Sequence, residues 1–327
     1  MSHSTQNIGM INTIDSVTGA HRFSHKAMAT IYEILIVHAD ANYAQQAACE
    51  AFYELDRLEQ ELSQFIENSD ISRINNLQAK QSVRIGLAAF ECLQHSAQMY
   101  EETDGAFDIT IGPLLKCWLN EDKTMRIPSK EELELALQHT GMNLLQLDGN
   151  EHTVKVHASP VHVDLGGIGK GYSVDQLVEL LRDWEFDTAL IHGGTSSVFA
   201  LGAPPGTKGW PLTLSSPRDY KQTLARLYLR DQALSSSGLQ KGQHIIDPRT
   251  ARPVKGNLAS WACASNAATA DALSTAFMIM TPDEVQDYCL RNEDVQAMII
   301  VQDEKNNSGH ENVLSFGSWM RFERRVV

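Results

Sequence analysis

Cysteine is scarce in this sequence and never paired at short range: Cys49, Cys92, Cys117, Cys263 and Cys289 are scattered along the chain with no C-x-x-C. That excludes a disulfide framework or a thiolate metal site and leaves reduced core cysteines. No long apolar run occurs, since none reaches the ~18 residues a spanning helix needs, so membrane insertion is not expected. Positive charge is in deficit: 27 Lys and Arg stand against 41 Asp and Glu, a formal net charge of −14. This balance argues against a nucleic-acid partner or an anionic-membrane face, and any bound phosphate must find local positive potential. Low-complexity linkers and internal repeats are missing too. The N-terminus, MSHSTQNIGMINTIDSVTG, lacks a basic stretch followed by an apolar core. The expectation is a cytoplasmic protein with a mobile tail over residues 1–22.

What is present is ordinary for a soluble globular chain of 327 residues: 43% hydrophobic and 21% charged, enough to bury a substantial core. TIYEILIVH, Thr30 to His38, reads as a strand. Ala48, Ala51, Phe52, Leu55, Leu58, Leu62 and Phe65 fall three or four apart and mark a long helix; Leu87, Phe90, Leu93, Ala97 and Tyr100 mark a second. Ser129 with Glu132 is a capping box. Asp148-Gly149 lies between two strand-like runs and signals a hairpin. VHVDLGG reads as a strand, followed by a helix from about Ser173 to Trp184. Strands follow at TALIHGG, SSVFALG, PLTLSSP and LARLYLR, then helices at ATADALSTAFMIM and from Thr281, and a last strand at AMIIV. Early helices with later strands favour an α+β architecture with one continuous core.

Four stretches could carry chemistry. DLGGIGKGY, Asp164 to Tyr172, is a glycine turn opening a helix, a place that favours phosphate. It fits neither G-x-x-x-x-G-K-[ST] nor G-x-G-x-x-G, so a turn that merely permits close backbone approach stands beside the phosphate reading. In TADALSTAFMIM, Asp271, Ser274 and Thr275 share one helix face, hard oxygen donors that suit Mg²⁺ rather than zinc. The alternative is an acid favoured by the helix dipole beside hydroxyls bonded back to the helix. GQHIIDPRTARPV offers His244 as a base or phosphate donor, or as a packed strand residue, with a turn at Asp247-Pro248-Arg249 whose arginine can be structural. EETDGAFDITIGPLLKCW turns at Asp104-Gly105 and presents Phe107.

Taken together and in order, the stretches AMATIYEI, ELDRLEQELSQFIENSDISRIN, TDGAFDITIGPLL, VDLGGIGKGYSVD, SSG with HIIDPRT, and ADALSTA resemble the ApbE family of flavin transferases, from about residue 27 to 280. The resemblance implies an ApbE-like (T-fold-like) α+β fold of mixed or antiparallel sheets with packed helices, a single domain over residues 23–327. It implies Mg²⁺-dependent transfer of the FMN half of FAD to a threonine or serine of an acceptor flavoprotein, releasing AMP; Mn²⁺ could replace Mg²⁺. An FAD diphosphatase or a non-catalytic FAD-binding protein would need much the same pocket. Carried over, Asp271, Thr275, the adjoining Ser274 and the Gly167 carbonyl hold the metal. Lys170 approaches the diphosphate. Met28, Phe65, Ala106, Phe107, Asp108, Asp164 and His244 contact FAD. His244, Lys170 and Asp271 are the catalytic candidates. Three departures stand out: the family's M-G-T is Met28-Ala29-Thr30, a usual tyrosine is Phe65, and N-L-G-G-[ND] is His192-Gly193-Gly194-Thr195-Ser196.

Overall fold

The computed structural model describes residues 10–13, 17–120, 122, 124–239, 245–302 and 311–318. The strands are β1 (Ile11–Thr13), β2 (Ala20–Ala27), β3 (Thr30–Val37), β4 (Ser82–Arg84), β5 (Leu145–Asp148), β6 (Thr153–Val156), β7 (Ala189–Gly193), β8 (Ser197–Leu201), β9 (Trp210–Ser215), β10 (Thr223–Leu229), β11 (Gln232–Gly238), β12 (Ile246–Asp247), β13 (Arg252–Pro253), β14 (Asn257–Ala264), β15 (Gln296–Gln302) and β16 (Glu311–Phe316). The helices are α1 (Ala41–Leu62), α2 (Asp70–Asn75), α3 (Leu87–Glu102), α4 (Gly112–Trp118), α5 (Lys130–Gln138), α6 (Gly169–Asp183), α7 (Ala267–Ile279) and α8 (Pro282–Arg291). Eight strands form the central sheet, ordered β16-β15-β14-β11-β8-β7-β3-β2 and antiparallel throughout. The fold is thus α+β as expected.

Side chains alternate across this sheet, as a strand requires. Ile34 and Ile36 of β3, Ile191 of β7, Phe199 of β8, Ala262 and Ala264 of β14 and Ile299 of β15 join one core with the helices. Leu35, Leu190, Val198, Trp261 and Ile300, one residue out of phase, join the second core under the small sheet β1-β9-β10. Both faces are covered, so these strands read as apolar runs rather than alternating ones. On the helical side the central strands present Ala233, Ala262, Ala264 and Ala297, and α7 answers with Ala267, Ala268, Ala270, Ala272 and Ala276. These small residues let α7 lie close on the sheet, and larger ones would overpack the seam.

Local signals placed several of the element ends. The Ser129–Glu132 capping box forms, and α8 starts at the expected Thr281, where the structure adds a second box with Glu284. The Asp148-Gly149 hairpin joins β5 to β6, with Asp148 paired to Thr153 across a four-residue loop. Three expectations are corrected. The tail does not extend to residue 22, because Ile11 is buried, β1 pairs with β9, and β2 begins at Ala20. VHVDLGG is not a strand: the Val163 amide bonds the Asn75 side chain and the Asp164 amide bonds the Ile109 carbonyl. AMIIV is followed by one more strand, β16. Among the described residues no helix is long and apolar enough to cross a membrane.

Candidate active site between two helices

The glycine turn is built from Asp164. Its Oδ1 accepts the Gly166 amide at 2.8 Å, and the Ile168 and Gly169 amides converge on the Leu165 carbonyl at 3.0 and 2.7 Å. Helix α6 therefore starts at Gly169, four residues earlier than its sequence suggests, with no side-chain cap. The Gly171 amide, one of the first-turn donors that a helix leaves without an intrahelical acceptor, donates to Asp271 Oδ2 of α7 at 3.0 Å. Glycine is required at 171 by this approach: a Cβ there would lie 2.1 Å from the Ala267 carbonyl oxygen.

A second stitch lies one turn along α6. Asp175 accepts the Ala267 and Ala268 amides at 2.7 and 2.8 Å, completing the N-terminus of α7 that Asn266 caps through the Thr269 amide. Burial pushes the Asp175 carboxyl up to about 6, against the lowering effect of those two bonds. Sequence reading gave Asp175 no role. Its signal was the i, i+4 spacing from Gly171, which puts both on the α7-facing side.

Asp271 is 2% exposed, and the Lys170 ammonium stands 3.6 Å from its Oδ2 while donating to the Gly166 carbonyl at 3.2 Å. A Cβ on Gly167 would meet Thr275 Oγ1 at 3.1 Å and the Phe107 ring at 3.2 Å, so turn, α7 and Phe107 converge on one point. Ser274 is fully buried; its hydroxyl donates to the Asp271 carbonyl at 2.9 Å and lies 2.8 Å from Ser237 Oγ. Ala106 and Phe107 are buried, their amides held by Thr103. Asp108 Oδ1 accepts the Thr110 amide and hydroxyl, while its Oδ2 is buried with no hydrogen-bond partner among the described residues. Burial pushes that carboxyl up to about 6.

Met28 and Ala29 form the two-residue turn between β2 and β3, both in the left-handed region at φ 49° and 57°. Two such residues make the type I′ geometry that favours Asn-Gly. Met28 is tied down: Glu59 accepts its amide at 2.8 Å and the Tyr32 hydroxyl donates to its sulfur at 3.2 Å. Ser173 Oγ, 3.5 Å from the same sulfur, bonds the Gly169 carbonyl and joins Met28 to the glycine turn. Phe65 stands apart at 88% exposure, while its neighbour Gln64 is bonded to His162 at 2.8 Å. His244 lies outside the described residues. Arg249 bonds Asp247 and Glu284, a structural arginine.

The donor set around Asp271 fits a hard divalent cation. One carboxylate, one hydroxyl and backbone carbonyls are oxygen ligands, and an ammonium already rests between carboxylate and carbonyl. No group of three or more His, Cys, Asp or Glu placed to hold a metal is found among the described residues, so a zinc-type set is not what this site offers. A helix N-terminus and a lysine beside oxygen donors are an arrangement suited to a phosphate ester or diphosphate. The sequence profile of the ApbE family matches residues 28–299, and the chain belongs to that family. It is 26% identical over 310 residues to the FAD:protein FMN transferase of Escherichia coli K12, covering 90% of this chain and 85% of that protein. It is 29% identical over 245 residues to the protein of the same name from Chlamydia muridarum, covering 70% and 75%. The solved ApbE protein of Thermotoga maritima superposes with a TM-score of 0.78 at 26% identity, covering 90% of this chain and 96% of that one. The flavin transferase ApbE of Vibrio cholerae gives a TM-score of 0.80 at 22% identity, covering 92% and 98%, a likeness of fold.

Proposed function

We propose that this chain transfers the FMN half of FAD to a threonine or serine hydroxyl of an acceptor flavoprotein, releasing AMP, with Mg²⁺ as cofactor and Mn²⁺ able to take its place. The observation that carries the reading is that the glycine turn meets α7 at two points, Lys170 and the Gly171 amide at Asp271 and Gly167 beside Thr275. The names of the curated relatives support the reaction class.

In this reaction the acceptor oxygen attacks the FMN-side phosphorus. A new P–O bond forms, the P–O bond to AMP breaks, and the bridging oxygen departs with AMP. The hydroxyl proton passes to a base, for which the family resemblance nominates His244. Asp271, Thr275 and the Gly167 carbonyl would hold the cation, with Ser274 adjoining. When bound, Mg²⁺ supplies positive charge that offsets the charge building on the phosphoryl oxygens. Lys170 and the N-terminus of α6 act in the same direction, binding the diphosphate and stabilising the more charged transition state more than the ground state. Buried Phe107 stands beside Gly167. Met28, Phe65, Ala106, Asp108 and Asp164 are assigned to the rest of the FAD.

The test is incubation of the purified chain with FAD and Mg²⁺, with and without an acceptor domain carrying a threonine. Mass spectrometry should show covalent FMN on that threonine and AMP in equal amount. FMN release that ignores the acceptor would make the chain a diphosphatase, and binding without turnover would make it a carrier.

A further inference from the structure

Ser237, near the end of β11, touches the site and has no part in the reading above. Two contacts link it to α7, and a third bond within the helix fixes their direction. Ser274 Oγ donates to the Asp271 carbonyl at 2.9 Å; Ser237 Oγ lies 2.8 Å from Ser274 Oγ and 3.3 Å from Thr275 Oγ1. A hydroxyl has one proton and two lone pairs, and a carbonyl can only accept. One assignment satisfies all three contacts. Ser274 spends its proton on the carbonyl, so Ser237 must donate to Ser274, and Thr275 must then donate to Ser237.

We propose that Ser237 is a positioning residue for the cation site: it takes the Thr275 proton toward the sheet and so presents the lone pairs of Thr275 Oγ1 to the glycine turn. The inference rests on the proposed cation at Asp271 and Thr275. Thr275 Oγ1 lies 3.3 Å from Ser237 Oγ and 3.1 Å from where a Cβ on Gly167 would stand, so a proton committed to Ser237 leaves its lone pairs free for the turn. Without Ser237 the hydroxyl can rotate and turn its proton, the repulsive end, toward a cation. The relay is braced from the neighbouring strand. Ser260 pairs with Ser237 in the β11–β14 register, and its hydroxyl donates to the Ser274 carbonyl. Ser274, fully buried with its proton spent, is in this account a link in the relay rather than a ligand.

The experiment is Mn²⁺ titration of the full chain, without FAD or acceptor, followed by electron paramagnetic resonance. Ser237→Ala should weaken Mn²⁺ binding about tenfold, the lower end of what loss of a ligand-orienting partner costs. Ser237→Thr, which keeps the hydroxyl, should stay within about twofold of wild type, and Ser237→Cys, a weak donor and acceptor, should fall toward the alanine variant. If Ser237→Ala does not fold, the threonine and cysteine variants carry the comparison. Thr275→Val should weaken binding further, and adding Ser237→Ala to it should change nothing more, because the serine acts only through Thr275. Wild-type affinity in Ser237→Ala, or an equal loss with and without Thr275, overturns the relay while leaving the cation reading intact. A wild-type chain that binds no Mn²⁺ overturns both.

Discussion

Replacing Gly171 by alanine tests whether the spacing of α6 and α7 makes the site. The added methyl would lie 2.1 Å from the Ala267 carbonyl oxygen and 2.8 Å from Asp271 Cβ, where ordinary contact begins at 3.4 Å. The gap must open by 3.4 − 2.1 = 1.3 Å at the carbonyl, and backbone cannot rotate away as a flexible side chain can. Overpacking of this kind costs about 2–3 kcal/mol, and the better helix propensity of alanine returns about 1 kcal/mol. The net loss is about 1–2 kcal/mol, a fall in Tm of about 2–3 °C for cooperative unfolding of a chain this size. Gly169→Ala is the control from the same turn: its methyl would meet only Leu165 Cβ, at an ordinary 3.5 Å. It should gain about 0.5–1 kcal/mol from propensity and a less free unfolded chain. Urea melts followed by circular dichroism compare the two, and Mn²⁺ titration should show weakened binding only in Gly171→Ala. Variants that shift in the same direction, or a Gly171→Ala protein as stable as wild type, would refute the spacing argument.

Ala29→Gly should raise stability by about 1 kcal/mol in a thermal melt, since alanine pays for its φ of 57° and glycine does not. The raised carboxyls of Asp108 and Asp175, each at about 6, set a sign: the folded state holds their protons more tightly than the unfolded state. Their contribution is therefore present at low pH and lost as pH climbs from the unfolded value near 4 through 6. Asp108→Asn should remove its share, so that the stability of the variant relative to wild type rises by about 1–3 kcal/mol between pH 4 and pH 7 in urea titrations. Asp271→Ala should cut FMN transfer on the order of 10²- to 10³-fold in single-turnover assays and abolish Mn²⁺ binding.

What could be read along the sequence was what is local. Ser129 and Thr281 announced their helices because a cap and its glutamate are three residues apart. Asp271 and Thr275 announced a shared face for the same reason. QALSSSG escaped notice because a strand covered on both sides shows no polar alternation, and three serines look like a turn when the helix over them is unknown. The Met28–Ala29 turn escaped because neither residue favours a positive φ. Ser237 reaches Thr275 only through sheet register and helix docking, across a separation of 38 residues. The family resemblance supplied the ligand assignments, but neither Asp175 nor Ser237 could be given a task until α6, α7 and β11 were seen together.

The Gly171–Asp271 bond joins positions 100 residues apart, with β7, β8, β11 and β14 of the central sheet lying between them in the chain. On the ribosome, the glycine turn is therefore made long before its carboxylate exists. A nascent chain that ends short of α7 carries a lysine and free amides but neither Asp271 nor Thr275, so the proposed cation site cannot be complete before synthesis passes Thr275. Pairing partners this distant in sequence carries a loop-closure cost that local contacts do not. Occupancy of the proposed cation site would therefore report that α6 and α7 have come together.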